Sequence, residues 1–307
     1  MIYQIMKGNS LNDVLRAVSR SFYLTLRFLP RDFRAPTSLA YLLARASDTV
    51  ADYRTADVEA RLSWLKDFEA YLNGETLLLP PSPSWIVNHD HEGEKTLIKQ
   101  LPTVVEALTH LKPELRSLVD SVLLTIVKGQ ISDLEFFEIV PQKWQVRAFV
   151  DDKQLSAYTY SVAGCVGEFW TKIGLLTQDN YSNLPEADLL SCGINYGKGL
   201  QLVNILRDVQ SDEKIGRCYI PNPLNQEENL RKERERLIEL AKSYLAEGEI
   251  YAKSLNHWQT AFATMLPAKL GLKTLEKIEQ LPQSNWKKPV KISRKEVYGG
   301  MWQAFRM

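Results

Sequence analysis

The chain has 307 residues, is 45% hydrophobic and carries a formal net charge of +1. That apolar content suffices for a sizeable core, while the near-neutral balance gives no global field for nucleic acid, and no RNA- or DNA-binding signature is present. Cys165, Cys192 and Cys218 are odd in number and widely spaced, which argues against a disulfide framework and for a reducing compartment.

Spaced apolar residues predict helices near 9–28, 35–53, 57–73, 95–110, 113–138, 144–174, 186–213, 226–254 and 256–280. Breakers separate them. Pro30 and Pro36 are expected to bracket a short link, Asn73-Gly74 to end a helix, and Pro80, Pro81 and Pro83 to open a polar loop. The stretch 74–94 is the best candidate for a mobile segment. Pro141, Pro185, Pro221 and Pro223 mark further joints. Composition never shifts sharply, so one all-α domain, 1–307, is expected, with a core near 10–280 and a tail after it. No charged-then-apolar leader opens the chain, and nothing approaches the ~18 apolar residues of a spanning helix. The expectation is a soluble, cytoplasmic monomer, peripheral at most at the inner face of a membrane.

Two aspartate pairs are the informative feature. Asp48 and Asp52 lie in Tyr41-Leu-Leu-Ala-Arg-Ala-Ser-Asp-Thr-Val-Ala-Asp, and Asp208 and Asp212 in Gln201-Leu-Val-Asn-Ile-Leu-Arg-Asp-Val-Gln-Ser-Asp. At about 100° per residue, Gln201, Asn204, Asp208 and Asp212 share an arc of roughly 80°, and Tyr41, Arg45, Asp48 and Asp52 a similarly narrow one. Leu200, Leu202, Val203, Leu206 and Val209 make the rest of the second helix apolar. A carboxylate stripe on such a helix faces a lined cavity or a partner charge, because an unpaired buried carboxylate is very costly. Two facing stripes would hold hard divalent cations through oxygen. The plain alternative is a pair of buried salt-bridge networks through Arg45 and Arg207.

Four stretches resemble the squalene/phytoene synthase family, the head-to-head branch of isoprenoid synthases. They are Ser19-Arg20-Ser21-Phe22; Arg45 to Asp52; Tyr158-Thr-Tyr-Ser-Val-Ala-Gly-Cys-Val-Gly; and Tyr196 to Pro221, with Asn204-Ile-Leu-Arg-Asp and Gly216-Arg-Cys-Tyr-Ile-Pro. The resemblance covers roughly residues 15 to 225, and most resembles bacterial members of the squalene synthase kind. It implies an all-α isoprenoid synthase fold, a helical bundle around a deep central cavity between the aspartate helices.

It also implies prenyl diphosphate substrates, Mg²⁺ and, for the squalene branch, NADPH. Metal ligands then fall at Asp48, Asp52, Asn204, Asp208 and Asp212. Arg45 joins the catalytic group, and Tyr158 sits near the reacting carbons. Substrate contacts fall at Ser19, Arg20, Ser21, Phe22, Tyr41, Val162, Gln201, Asn204, Arg207 and Tyr219. Charge neutralisation makes the diphosphate a leaving group, and a dry, apolar tunnel protects the allylic cation from water. A second prenyl diphosphate then attacks, joining the chains through a cyclopropyl intermediate. Squalene synthases reduce that intermediate. Dehydrosqualene and phytoene synthases do not, and another branch stops at presqualene diphosphate or hydroxysqualene. No Gly-x-Gly-x-x-Gly follows a strand, but the family does not bind NADPH through that fold. Ser211 stands where relatives commonly carry an acid. A non-catalytic assembly protein of the same fold would be expected to lose the spaced aspartates, and all remain.

Other features have plainer readings. His89-Asp90-His91-Glu92 looks metal-like but reads as a solvated loop. Cys165, between Gly164 and Gly167, reads as close helix packing. Arg231-Lys-Glu-Arg-Glu-Arg reads as a solvated helix face. Trp286-Lys-Lys-Pro-Val-Lys-Ile-Ser-Arg-Lys reads as a soluble tail, with contact to an anionic membrane as the alternative.

Overall fold

The computed structural model describes residues 11–19, 22–139, 146–222 and 226–305, and they are overwhelmingly helical, the all-α class expected. The chain divides into two compact units, one from Met1–Ile139 and Lys172–Asp179 and one from Val140–Thr171 and Asn180–Met307.

The first unit contains α1 (Leu11–Ser19), α2 (Phe22–Phe28), α3 (Arg31–Asp52), α4 (Val58–Leu72), a 3₁₀ turn (Ser84–Asn88), α5 (Glu92–Lys99), α6 (Leu101–Leu108) and α7 (Pro113–Phe137). Its centre is α3 packed along α7. Leu39, Leu42, Leu43, Ala46 and Val50 of α3 are buried, as are Val119, Leu123 and Val127 of α7. Each fully buried leucine is worth about 1.5–3 kcal/mol. That burial explains one departure from expectation. Pro30 caps α3, but Pro36 lies inside it rather than closing a link. A single lost backbone bond is outweighed by the apolar face the helix continues to bury. The predicted helix 95–110 is instead α5 and α6, which meet at Gln100 because Pro102, near the start of α6, cannot continue the preceding helix.

The stretch 74–94, expected to be mobile, is pinned at several points. Trp64 Nε1 donates to the Pro81 carbonyl at 2.9 Å, and Trp85 stacks on Tyr53 with centroids 4.8 Å apart.

The second unit begins with β1 (Arg147–Ala148), α8 (Asp152–Thr159), a π-helical turn (Tyr160–Gly164) and α9 (Cys165–Thr177), of which residues 172–177 belong to the first unit. It continues with α10 (Glu186–Lys214), β2 (Arg217–Cys218), α11 (Glu227–Ser254), α12 (Trp258–Glu279), a 3₁₀ turn (Gln283–Asn285) and α13 (Arg294–Phe305). The predicted helix over 144–174 therefore starts later than expected. Its early part is the strand β1, parallel to β2, and α8 begins where the Asp151 carboxylate accepts from Gln154 N at 2.9 Å.

Helix α10 is the axis of this unit and packs on α11 and α12. Its contact with α9 depends on bare glycine. A Cβ on Gly167 would lie 1.9 Å from the Gly193 carbonyl oxygen, so the backbones touch where any side chain would separate them. The close packing expected beside Cys165 is present, and burial, then the nearby Glu168, pushes the Cys165 thiol up to about 12. Two surface expectations fail here. Arg234 is buried and donates to the Ile278 carbonyl at 2.6 Å, and Trp286 is only 6% exposed, with its indole N–H on Glu227 at 3.0 Å. Among the described residues, no helix is long and apolar enough to cross a membrane.

Candidate functional site

In the first unit the expected residues on α3 lie along one stripe. Arg45 donates to Asp48 Oδ2 at 2.8 Å and, through its other terminal nitrogen, to Glu94 Oε1 at 2.5 Å. Glu94 was not expected. It is 7% exposed, and it also accepts from Thr49 Oγ1 at 3.3 Å and lies 3.3 Å from His89 Nε2. His89 in turn stacks on Tyr53, and His91 accepts the Glu94 backbone N–H at the head of α5. The His89–Glu92 run is therefore not simply a solvated loop. Two of its members build the wall that holds Arg45.

The electrostatics follow from this crowding. Loss of hydration, then the neighbouring Asp52 carboxylate, pushes the Asp48 carboxyl up to about 7, against the pull of Arg45. Burial works to raise the Glu94 carboxyl, but the Arg45 guanidinium outweighs it and holds Glu94 below its ordinary value. Asp48 is half-buried and Asp52 exposed.

The N-terminal residues meet α3 from above this stripe in sequence. Tyr41 donates to the Val18 carbonyl at 3.0 Å, and its ring lies 5.1 Å from that of Phe22. Ser19 is buried, and its hydroxyl donates to the Leu15 carbonyl one turn back. Arg20 and Ser21 lie outside the described residues.

In the second unit α10 carries the corresponding stripe. Arg207 grips Asp208 with two nitrogens, Nε to Oδ1 at 2.9 Å and a terminal nitrogen to Oδ2 at 2.5 Å, and this bond holds the Arg207 guanidinium above its ordinary value. Asn204 donates to Gln201 Oε1 at 3.3 Å, and Gln201 donates to the Tyr158 phenol at 3.5 Å. Asp212 is half-buried one turn beyond Asp208.

After Asp212, Gly216 takes φ of 81°, a conformation that glycine adopts without strain, and turns the chain into β2. The parallel pairing of β2 with β1 then sets three rings together. Tyr158 stacks on Tyr219 at 4.6 Å, and Phe149 meets both edge-on at 5.6 and 5.4 Å. Arg217 donates to the Tyr219 hydroxyl at 3.1 Å. Val162 lies in the π-helical turn that follows Tyr158, a distortion common at functional sites.

The structure thus joins Arg45 with Asp48, and Arg207 with Asp208, in ion pairs. Neither is a sealed salt-bridge network. Asp52 and Asn204 are exposed, and Arg45, Asp48, Arg207 and Asp208 are half-buried, so all are open to a ligand. Among the described residues no three His, Cys, Asp or Glu side chains gather around a metal-sized space. Each stripe offers two carboxylates, with Asn204 beside the second, and no nitrogen or sulfur ligand. That all-oxygen set suits a hard cation that completes its shell with water and phosphate oxygen.

A family model described as squalene/phytoene synthase matches residues 15–296. The chain belongs to the squalene/phytoene synthase family. It is 30% identical over 272 residues to a bifunctional lycopene cyclase/phytoene synthase of Blakeslea trispora, covering 86% of this chain and 40% of that protein. It is 25% identical over 214 residues to squalene synthase ERG9 of Candida albicans, covering 69% of this chain and 45% of that one. The chain thus spans less than half the length of these curated relatives. In fold it is similar to TcSQS in complex with the ligand BPH1237, with a TM-score of 0.76 and 21% identity over 99% of this chain and 86% of that one. The family is one of prenyltransferase-type synthases, and every stripe residue named above falls inside the matched span.

Proposed function

We propose that this chain is a Mg²⁺-dependent farnesyl diphosphate farnesyltransferase that joins two farnesyl diphosphates head to head through presqualene diphosphate and completes squalene with NADPH. One observation carries the reading. The same device occurs once in each unit: an aspartate pair four residues apart on a helix, its first member held by an arginine of that helix. A reaction that consumes two diphosphates calls for two such devices.

Asp48 and Asp52 would hold one part of the metal complement, and Asn204, Asp208 and Asp212 the other. The fit rests on the all-oxygen donor set of each stripe, and at Asp48, whose carboxyl burial and then the neighbouring Asp52 push up, a bound cation would relieve the crowding. Bound Mg²⁺ supplies the positive charge that makes a diphosphate a leaving group. Arg45 and Arg207 add charge-assisted hydrogen bonds to the departing oxygens, and Ser21 and Arg20 extend that grip by family resemblance.

The rings of Phe149, Tyr158 and Tyr219 present π faces that stabilise an allylic cation without trapping it, as water would. The Tyr158 phenol, which accepts from Gln201 and stacks on Tyr219, would by the family resemblance hold a proton near the reacting carbons. By the family resemblance, Phe22 and Tyr41 of the first unit and Val162 of the second would each furnish apolar lining for the prenyl chains.

Purified protein incubated with farnesyl diphosphate and Mg²⁺ should yield presqualene diphosphate or its non-reduced products without NADPH, and squalene with it. Absence of any coupled product in both arms rejects the assignment. A second reading, coupling without reduction as in carotenoid formation, is favoured by the 30% identity to a phytoene synthase-containing protein. It predicts the same hydrocarbon with or without NADPH, or a C40 product from geranylgeranyl diphosphate.

A further inference from the structure

The residue after the second aspartate stripe is held by a side chain 74 positions further along. We propose that Lys287 is a positioning residue for the diphosphate site of the second unit: it clasps the end of α10 to the start of α11, and so fixes both Asp212 and the return segment that carries Tyr219. The role rests on the reading that Asp208 and Asp212 serve a diphosphate through Mg²⁺.

Glu213 lies one residue beyond Asp212 and is therefore turned about 100° from it around α10. Its carboxylate leaves the stripe and accepts from Lys287 Nζ at 2.8 Å. The same ammonium donates to Glu227 Oε2, in the first turn of α11, also at 2.8 Å. Between Glu213 and Glu227 the chain turns at Gly216, pairs β2 with β1 and sets Tyr219 on Tyr158. One ammonium closes the base of that whole excursion. Beyond burial and its bond to the Ile220 carbonyl, the Cys218 thiol of β2 senses Glu213, Lys287 and Asp212 together, so the clasp and the stripe share one neighbourhood.

Lys287 is itself seated. Its ammonium lies 5.1 Å from the centre of the buried Trp286 ring, and the Arg234 guanidinium 5.4 Å from the same ring. The Trp286 indole N–H holds the other oxygen of Glu227, and Arg234 is tied to the end of α12 through the Ile278 carbonyl. Tight turns lead the chain in and out, with Asn285 N on the Pro282 carbonyl at 2.8 Å and Lys288 N on the Asn285 carbonyl at 2.9 Å. An ion pair in open water orders little. This one is sheltered, with the Lys287 and Glu213 side chains only 24% and 22% exposed, so solvent and salt screen it less. Burial works to lower the Lys287 ammonium, but Glu213 and Glu227 outweigh it and hold it above its ordinary value. Without Lys287, Glu213 would carry an uncompensated charge beside Asp212, and the two ends of the excursion would part.

The test pairs amide hydrogen exchange with calorimetric binding of Mg²⁺ and inorganic diphosphate. Binding is read in an Asp48→Ala background, so that the second stripe alone reports. Lys287→Ala should speed exchange across 212–222 by about tenfold or more, with α3 unchanged. It should weaken diphosphate binding about tenfold, the usual cost of losing a group that orients metal ligands from outside. Lys287→Arg, which keeps the charge and several donors, should restore most of both. Glu213→Gln should act in the same direction and add little to Lys287→Ala. Lys288→Ala, at the exposed neighbour, should match the background protein. Parental exchange in Lys287→Ala removes the clasp. Faster exchange with unaltered binding, or no rescue by Lys287→Arg, makes it a structural ion pair only and overturns the positioning role. So does absence of binding in the background protein itself. Failure of the parent chain to couple prenyl diphosphates rejects the proposed function alone, because the positioning role is read in exchange and binding.

Discussion

Helices α3 and α10 carry the same polar stripe but secure it in different ways. On α3 the arginine is held from outside: Glu94 and His89, more than 40 residues further on, fix Arg45 against Asp48. On α10 the grip is local, Arg207 on the adjacent Asp208, and the long-range order lies in the rings of Phe149, Tyr158 and Tyr219 beside it. The first stripe is thus a charge network clamped by another helix. The second is a helix-borne pair beside an aromatic wall. One carboxylate geometry therefore needs no single scaffold. It needs a positive group within reach and a rigid element beneath.

If both stripes serve the diphosphates, Asp48→Ala and Asp208→Ala should each lower Mg²⁺-dependent turnover by on the order of a hundredfold or more, with helical content unchanged. Near-parental turnover in either variant breaks the equivalence of the two helices. The scaffold under the second stripe should be the more brittle. Gly167→Ala drives a Cβ into the Gly193 carbonyl and should cost about 3 kcal/mol in urea unfolding. The clamp on the first stripe gives a smaller effect. Glu94→Gln removes the charge that holds Arg45 and should lower turnover about tenfold, mostly in kcat if Arg45 acts on the departing diphosphate. A rise in KM alone would make Glu94 a binding residue only.

The smallest effect is on pH dependence. The folded protein keeps a proton on Asp48 up to about 7, while the unfolded chain releases it near its ordinary 3.8. Stability from this group is therefore complete below 3.8 and lost as pH rises through about 7. The thermal midpoint of metal-free protein should fall across that window. Asp48→Asn should flatten the fall, and Mg²⁺ should offset it at the upper end. A parental slope in Asp48→Asn would remove Asp48 as its cause.

Much of this molecule could be read before folding, and the limits have physical causes. The aspartate stripes were legible because four-residue spacing on an apolar helix is a local pattern. Helices α4, α7, α10, α11 and α12 fell within a residue or two of their predicted ends for the same reason. Pro36 misled because its local cost is visible in sequence, whereas the core that overrides it is not. Glu94 was missed because its partner Arg45 is distant along the chain, and the histidines that announce it looked like a polar loop. Arg234 and Trp286 were read as surface because each is polar or flanked by lysines. Burial came from each other and from Glu227, contacts that no periodicity encodes.

The π-helical turn at Tyr160–Gly164 has one more implication. It places an extra residue in the ladder between Tyr158, which faces the aromatic wall, and Gly167, which touches Gly193. Winding the same residues as a regular α-helix would swing one end about 100° against the other. The segment works as a phase shifter: a single surplus amino acid lets one continuous rod aim a phenol and a bare backbone contact in directions that regular winding would not permit together.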